Sequence, residues 1–336
     1  MTKQNTVNIS GSKELIDAVD KLGERITDAR SGIGRVIFGQ EKVIEETLIT
    51  LLAGGHVLLI GVPGLGKTKL VETLGIVFGL DDRRVQFTPD LMPADILGSE
   101  VLEESEKGKR SFRFINGPVF CQLLMADEIN RASPRTQSAL LQAMQERRVS
   151  VAGHYHDLPA PFHVLATQNP LEQEGTYPLP EAQLDRFFMQ VNVDYPDLSA
   201  ERDILVDTTG ANAAIAKKVL DADELIEAQR LVRHVPVGES VVEAILKLVR
   251  AGRPEESDLP DVQRHVSWGP GPRASQALML GVRARAIAEA RLAPSIDDVL
   301  ALAHPILRHR MALNFTARAE GVSVSDVIDR LCETVA

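Results

Sequence analysis

Lys67 and Thr68 close the run Gly61-Val62-Pro63-Gly64-Leu65-Gly66-Lys67-Thr68, which fits G-x-x-x-x-G-K-[ST] between a hydrophobic strand and a helix. Loops of this composition wrap phosphates with backbone N–H groups, and the helix start adds a favourable dipole. Lys67 is placed to reach the β and γ phosphates, and Thr68 to supply a ligand to Mg²⁺. The loop residues and the following Lys69 are the candidate nucleotide contacts, and ATP and Mg²⁺ are the expected cofactors. Taken alone, the motif speaks only for binding a nucleoside triphosphate.

A second feature adds a reaction. Asp127 and Glu128 end the apolar run Leu123-Leu124-Met125-Ala126, and ligands meet a parallel sheet at such strand ends. Asp127 is the candidate for the Mg²⁺ shell, through water. Glu128 is the candidate that polarises the attacking water, which favours hydrolysis over phosphoryl transfer. Asn169, after the apolar run His163–Thr167, is a candidate γ-phosphate sensor, although an Asn-Pro after a strand also reads simply as a turn. Arg186, in Leu184-Asp185-Arg186-Phe187, is placed to project from the subunit edge and complete a neighbour's site; a surface Asp–Arg pair is the plainer reading. Arg273 opens a helix after Gly269-Pro270-Gly271-Pro272 and is a candidate for sensing nucleotide between domains. Arg131, Arg135 and Arg147 also lie near the expected site and subunit edge, and any of them is able to share charge stabilisation with Arg186.

The elements that must hold these residues follow from periodicity. Leu15, Ala18, Val19, Leu22, Ile26 and Ala29 predict an amphipathic helix over residues 12–30, packed on the core or on a neighbouring subunit. His56–Ile60 reads as a strand and Thr68–Phe78 as a helix stopped at Gly79. Short apolar runs at Arg84–Thr88, Gln122–Ala126, His163–Thr167 and Phe187–Val191 predict buried parallel strands, giving a three-layer α/β core. Ser133-Pro134 predicts a capped helix to Gln145. Val101–Ile115 and Arg148–Leu158, the latter turning at Gly153, read as inserted hairpins. After Asp194-Tyr195-Pro196-Asp197 strand signals vanish, and helical patterns run through Asp223–Val235, Glu239–Ala251, Arg273–Leu292 and Ile296–Ala303. The expected organisation is an N-terminal helix at 1–34, an ATPase core at 35–196 and a smaller all-α lid at 197–336.

Composition narrows the partners. With 336 residues, 44% of them hydrophobic and 25% charged, the chain has the make-up of a folded protein of about two domains. A formal net charge of −10 makes nucleic acid an unfavoured partner. Cys121 and Cys332 are the two cysteines, so no disulfide framework is indicated and a reducing compartment fits. Residues 1–6 lack a signal-peptide pattern, and the longest apolar stretch, Leu48–Ile60, is broken and too short for a membrane span; a cytoplasmic protein without membrane insertion is expected. His154 and His156 lack a third ligand for a metal, His265, His304 and His309 read as surface or helix-end residues, and Lys107, Lys109 and Arg110 read as a solvated turn.

In this order the elements resemble the AAA+ ATPases, and their wording resembles the MoxR family. The resemblance is carried by Val36-Ile37-Phe38-Gly39-Gln40, the P-loop, Phe114-Ile115-Asn116-Gly117-Pro118-Val119, Asp127-Glu128-Ile129-Asn130-Arg131-Ala132, Leu165-Ala166-Thr167-Gln168-Asn169-Pro170, Leu179–Phe187 and Gly271-Pro272-Arg273-Ala274, spanning about residues 35–310. It implies Walker A and Walker B roles for the loop and the acidic pair, sensor 1 at Asn169, an arginine finger at Arg186 and sensor 2 at Arg273, acting within its subunit or across the interface. It also implies an adenine pocket lined by Ile37, Phe38, Gly39 and Gln40, a homo-oligomeric ring, usually a hexamer, and chaperone-like work that matures protein clients, often metal- or cofactor-dependent, with partners bearing von Willebrand factor A (VWA) domains. The motor of a metal-chelatase complex is a close alternative. A ring helicase is a distant one, since His154-Tyr155-His156-Asp157 is not a basic hairpin tip. A transcription-activator ATPase would need a DNA-binding domain after the lid, and Glu128 argues against a binding switch without turnover.

Overall fold

Alternation along the central strands divides their side chains between two cores. Val57, Leu59, Met125, Leu165 and Val191 face one, while Leu58, Leu124, Ala126, Val164 and Ala166 face the other, as the two-residue period of a strand requires. The computed structural model describes residues 12–104, 110–172, 174–210 and 214–335. The expectations for residues 1–6 and for the turn Lys107-Gly108-Lys109 lie outside the described residues.

The chain begins with α1 (Ser12–Gly34) and α2 (Glu41–Leu52), then β1 (Val57–Ile60), α3 (Lys67–Val77) and β2 (Asp82–Gln86). The short α4 (Pro93–Leu97) leads into a hairpin of β3 (Gly98–Glu104) and β4 (Arg110–Asn116). Next come β5 (Leu123–Asp127), α5 (Pro134–Glu146) and a second hairpin, β6 (Arg148–Val151) with β7 (His154–Asp157). Then β8 (His163–Gln168), α6 (Glu181–Leu184) and β9 (Met189–Asn192) complete a parallel sheet in the order β2-β5-β8-β1-β9. Because β8 separates β1 from β5, the tips of the glycine-loop strand and the acidic strand stand two strand spacings apart, about 10 Å. Both open on the C-terminal edge, where a parallel sheet receives ligands.

The first core joins the sheet to α1, α2, α3 and the helices that follow, and the second packs the other face against α5. Val19, Ile26, Ala29 and Ile33 of α1 are fully buried, and each large aliphatic contributes about 1.5–3 kcal/mol of burial. Arg25 of α1 pairs with Glu224 across the same seam. Ser133 caps α5 by accepting from the Thr136 N–H. The hairpins touch one another through the stacked rings of Phe114 and His156, 3.9 Å apart.

The remaining helices are α7 (Leu198–Thr209), α8 (Ala222–His234), α9 (Glu239–Ala251), α10 (Pro260–His265), α11 (Pro272–Ala288), α12 (Ile296–Leu307), α13 (Phe315–Ala319) and α14 (Val324–Glu333). Among them β10 (Val266–Trp268) pairs antiparallel with β11 (Ala312–Leu313). Strands of three and two residues are too short to leave an alternating pattern in the sequence. Two expectations are corrected here. β2 is an edge strand in which only Val85 is buried. His265 closes α10 and His309 follows the end of α12, as a helix-end reading allows, but both are buried rather than on the surface, and the His309 ring is 3.1 Å from the Phe187 carbonyl.

Two more buried histidines lie at the N-terminal edge of the sheet. Val164 N–H donates to His56 Nδ1 at 3.0 Å, so Nε2 carries the proton and donates to the Met144 carbonyl. Gln229 Nε2 lies 3.0 Å from His163 Nε2, which leaves His163 Nδ1–H to donate to the Gly55 carbonyl at 2.8 Å. Burial is the main cause that lowers His56 to about 3 and His163 to about 4. The unfolded chain, with histidines near 6.5, therefore binds protons that the fold refuses as pH falls below about 6.5. Each histidine costs about 1.4 kcal/mol of stability per pH unit over that window, down to about pH 4. The melting temperature is expected to fall steadily between pH 7 and pH 5; equal values at the two pH settings would contradict the assignment.

Candidate nucleotide site and a separate arginine pocket

Gly66 begins α3 from the left-handed region, at φ +74, where a residue with a Cβ is disfavoured. The turn it makes aims the following N–H groups into the loop. Lys67 folds over the same loop, its Nζ donating to the carbonyls of Gly61 (2.5 Å) and Val62 (2.8 Å). Burial lowers its pKa, and the nearby Asp127 and Glu128 oppose that shift. The lysine thus stands between loop and acids, held by groups that a phosphate can replace.

The acids are held from both sides. Asp127 accepts from Thr167 Oγ1 at 2.6 Å and from Arg84 at 2.5 Å. Glu128 has left-handed backbone angles, φ 55 and ψ 51, which are uncommon for a residue with a side chain and recur at functional sites. Its carboxylate accepts from Gln86 at 2.7 Å and from Arg131 at 3.1 Å, and its N–H donates to Thr167 Oγ1. Arg84 and Gln86 were not singled out in the sequence. They stand two apart on β2, on one face of the strand, and that spacing was the available signal. Asn169 follows β8, whose Gln168 carbonyl accepts from the Gly61 N–H at 3.2 Å. Its Oδ1 accepts from the Leu171 N–H, so the turn reading also describes its present bonding.

Beside the loop is a cavity of about 260 Å³ whose walls include Ile37, Phe38, Gln40, Leu65, Gly66 and Lys69. Gly39 does not line it and works from behind. At φ +66 it lies so close to Ala200 that an added Cβ would come within 2.4 Å of the Ala200 Cβ. That approach seats α7 on the loop, and Pro196, Ile204 and Thr208 become the far wall. Pro196 and α7 were missed because their contribution depends on this contact, some 160 residues away in sequence. Pro63 faces a second cleft along α7, and Val62 contributes the carbonyl that accepts from Lys67. The mostly apolar walls suit a flat heterocycle, while the loop, Lys67 and the acids suit polyphosphate. Thr68 and Asp127 are hard oxygen donors of the kind Mg²⁺ takes, so the residues present fit that ion.

Arg186 and Arg273 are elsewhere. They share a cavity of about 290 Å³ with Arg147 and Arg310, at the start of β1 and β9, lined also by Gly54, Gly55 and His56. Arg273 lies 3.5 Å from Asp185, and the buried Arg310 bonds Asp185 at 2.8 Å. β1 separates this cavity from its own glycine loop by four residues, about 13 Å of strand. Sequence placed Arg273 toward the cleft between domains, and its cavity is indeed walled from both segments, by residues 54–56 and 185–188 on one side and Gln276, Ala277 and Leu280 on the other; with Arg186 it lies at the opposite end of the sheet from Lys67. Arg131 sits on Glu128 in the first site, and Arg135 is exposed at the start of α5. Among the described residues no helix is long and apolar enough to cross a membrane.

A family model for the ATPase family associated with various cellular activities (AAA) matches residues 56–189, and one for an AAA lid domain matches residues 260–331. The chain is 42% identical to Chaperone MoxR1 of Mycobacterium tuberculosis over 97% of its own length and 85% of that protein. It is 32% identical to Protein MoxR of Paracoccus denitrificans, covering 93% of this chain and 96% of the relative. A crystal structure from Cytophaga hutchinsonii, provisionally named an ATPase, matches with a TM-score of 0.88 at 37% identity, over 96% of this chain and 97% of that one.

Proposed function

Because the chain belongs to the MoxR family of AAA+ ATPases, we propose that its chaperone-like ATP hydrolysis is run by sites shared between copies in a head-to-tail ring. The family's rings are usually hexamers. The observation that supports sharing is the separation just described: nucleotide-binding groups at one end of β1, arginines able to stabilise transition-state charge at the other. Neither end is complete alone, and a heterologous contact that brings one end of each copy to the opposite end of the next closes a ring when the rotation permits.

At such an interface each group has a task. The loop and Lys67 bind the phosphates. Ile37, Phe38 and Gln40, with Ile204 across the cavity, bind the base, and Gly39 keeps that cavity's two walls together. Glu128 accepts the proton of the attacking water, and Asn169 orients that water or the γ-phosphate. Thr68 and Asp127 would hold Mg²⁺, which neutralises phosphate charge when bound; Arg84 must then leave Asp127. Arg186 and Arg273 act from the neighbouring copy. The output is remodelling or maturation of a protein client, often metal- or cofactor-dependent in this family, in the cytoplasm and with a VWA-domain partner.

Substituting Lys67→Ala removes the half-buried cation that folds over the loop. A charge-assisted contact of this type is worth about 1.5–3 kcal/mol, so ATP affinity is expected to fall about 10- to 100-fold by titration calorimetry. Unchanged affinity would remove the glycine loop from the proposal. A pull-down with Glu128→Gln held in ATP is the direct route to client and partner.

A further inference from the structure

The arginine pocket contains two arginines more than an arginine finger and a sensor require, Arg310 and Arg147. The geometry points to Arg147 as a third arginine that contacts the polyphosphate of ATP bound by the neighbouring copy, an inference that rests on the shared-site reading above.

Charge is the first support. Of the four arginines lining the cavity, Arg310 is 2% exposed and fully engaged, bonding Asp185 and the carbonyls of Ile306, Phe187 and Phe188. Asp185 is the one carboxylate among the lining residues, and Arg310 and Arg273 already claim it. Arg147 and Arg186 have no carboxylate within ion-pair distance among the described residues. Cations gathered around one spent carboxylate form an anion site, and planar guanidinium groups match phosphate oxygens.

Backbone conformation is the second. Arg147 closes α5 at φ 55 and ψ 27, the left-handed helix-end position that glycine ordinarily takes. A long cation there is conformationally costly, and its local bonding is slight, a 3.5 Å contact from Nη2 to the Gly54 carbonyl. Residues held in such angles cluster at functional sites.

Location is the third. Gly54 precedes β1 and the glycine loop follows it, so this guanidinium lies at the wrong end of the strand for its own nucleotide. An anion arriving from another copy meets it together with Arg186 and Arg273. Nucleic acid would need a longer basic track than one pocket on a chain of net charge −10.

The backbone angle supplies a clean test. Arg147→Gly places at φ 55 the residue best suited to it, so the variant is expected to melt no lower than the parent. Its kcat is nevertheless expected to fall about 10- to 100-fold, less than for a deeply buried oxyanion donor because Arg147 is solvent-exposed. Mixing Arg147→Gly with Glu128→Gln, which binds ATP without hydrolysing it, is expected to raise turnover above the sum of the separate proteins. The gain comes from interfaces that join an intact Glu128 to an intact Arg147. Arg186→Ala mixed with Glu128→Gln runs in parallel. Wild-type turnover by Arg147→Gly overturns the inference. Recovery in the Arg186 mixture but not in the Arg147 mixture also overturns it while leaving the shared-site reading intact. Recovery in neither removes both. A pocket that merely held free phosphate would give no recovery on mixing.

Discussion

Glu128→Gln is expected to keep ATP bound while turning it over about 10²–10⁴-fold more slowly, the range for losing a general base. The substitution preserves size, and the glutamine carbonyl can still accept from Gln86 or Arg131, which now hold the Glu128 carboxylate at 2.7 and 3.1 Å. What is lost is the ability to take a proton from water. Those two contacts also show that the carboxylate is restrained before any nucleotide arrives, so activation must involve exchanging at least one of them. Single-turnover assays with radiolabelled ATP measure the effect, together with filter binding to show that ATP is retained. Near-normal turnover would move the base to another residue.

Arg186→Ala is expected to reduce turnover by about 10³–10⁵, as when an arginine finger is removed, with little change in melting temperature. The second half of that statement follows from the pocket. Arg186 is half-buried with no carboxylate partner among the described residues, whereas the cohesion of this corner comes from Arg310, which ties α12 to the start of β9. Steady-state ATPase assays and thermal melts check both halves. Activity within tenfold of wild type would return Arg186 to an ordinary surface role, and a collapse in stability would make it structural.

Much of this was legible in the sequence because the signals are local. The glycine loop, the acids at the end of β5, Ser133-Pro134 and the hairpin turning at Gly153 each depend on a few adjacent residues, and the structure forms all four. What could not be read depends on the order of strands. Thr167 bridges Asp127 and Glu128 only because β8 inserts beside β5, and Arg84 and Gln86 reach those acids only because β2 flanks β5 on its other side. The cleft between the two segments was legible for Arg273 from its place in the chain, but its partners there, Asp185 and the nearby Arg310, come from two distant segments and were not. His309 looked like a surface or helix-end residue because periodicity records apolar burial and does not register a buried imidazole whose Nε2 meets the Phe187 carbonyl.

Gly39 and α7 have a consequence for the time nucleotide stays bound. α7 buries only Ala200 and leaves Leu198, Leu205 and Val206 in water, yet it supplies a wall of the base cavity through Ile204 and Thr208. So lightly anchored a helix occupies the low end of the local unfolding scale, and a ligand that binds only its folded form stabilises that form by mass action. On the proposed placement of the base, ligand and helix would hold one another in place. Loosening of α7 would then open that wall, so that the residence time of nucleotide would depend on how firmly a single buried methyl group, that of Ala200, is seated.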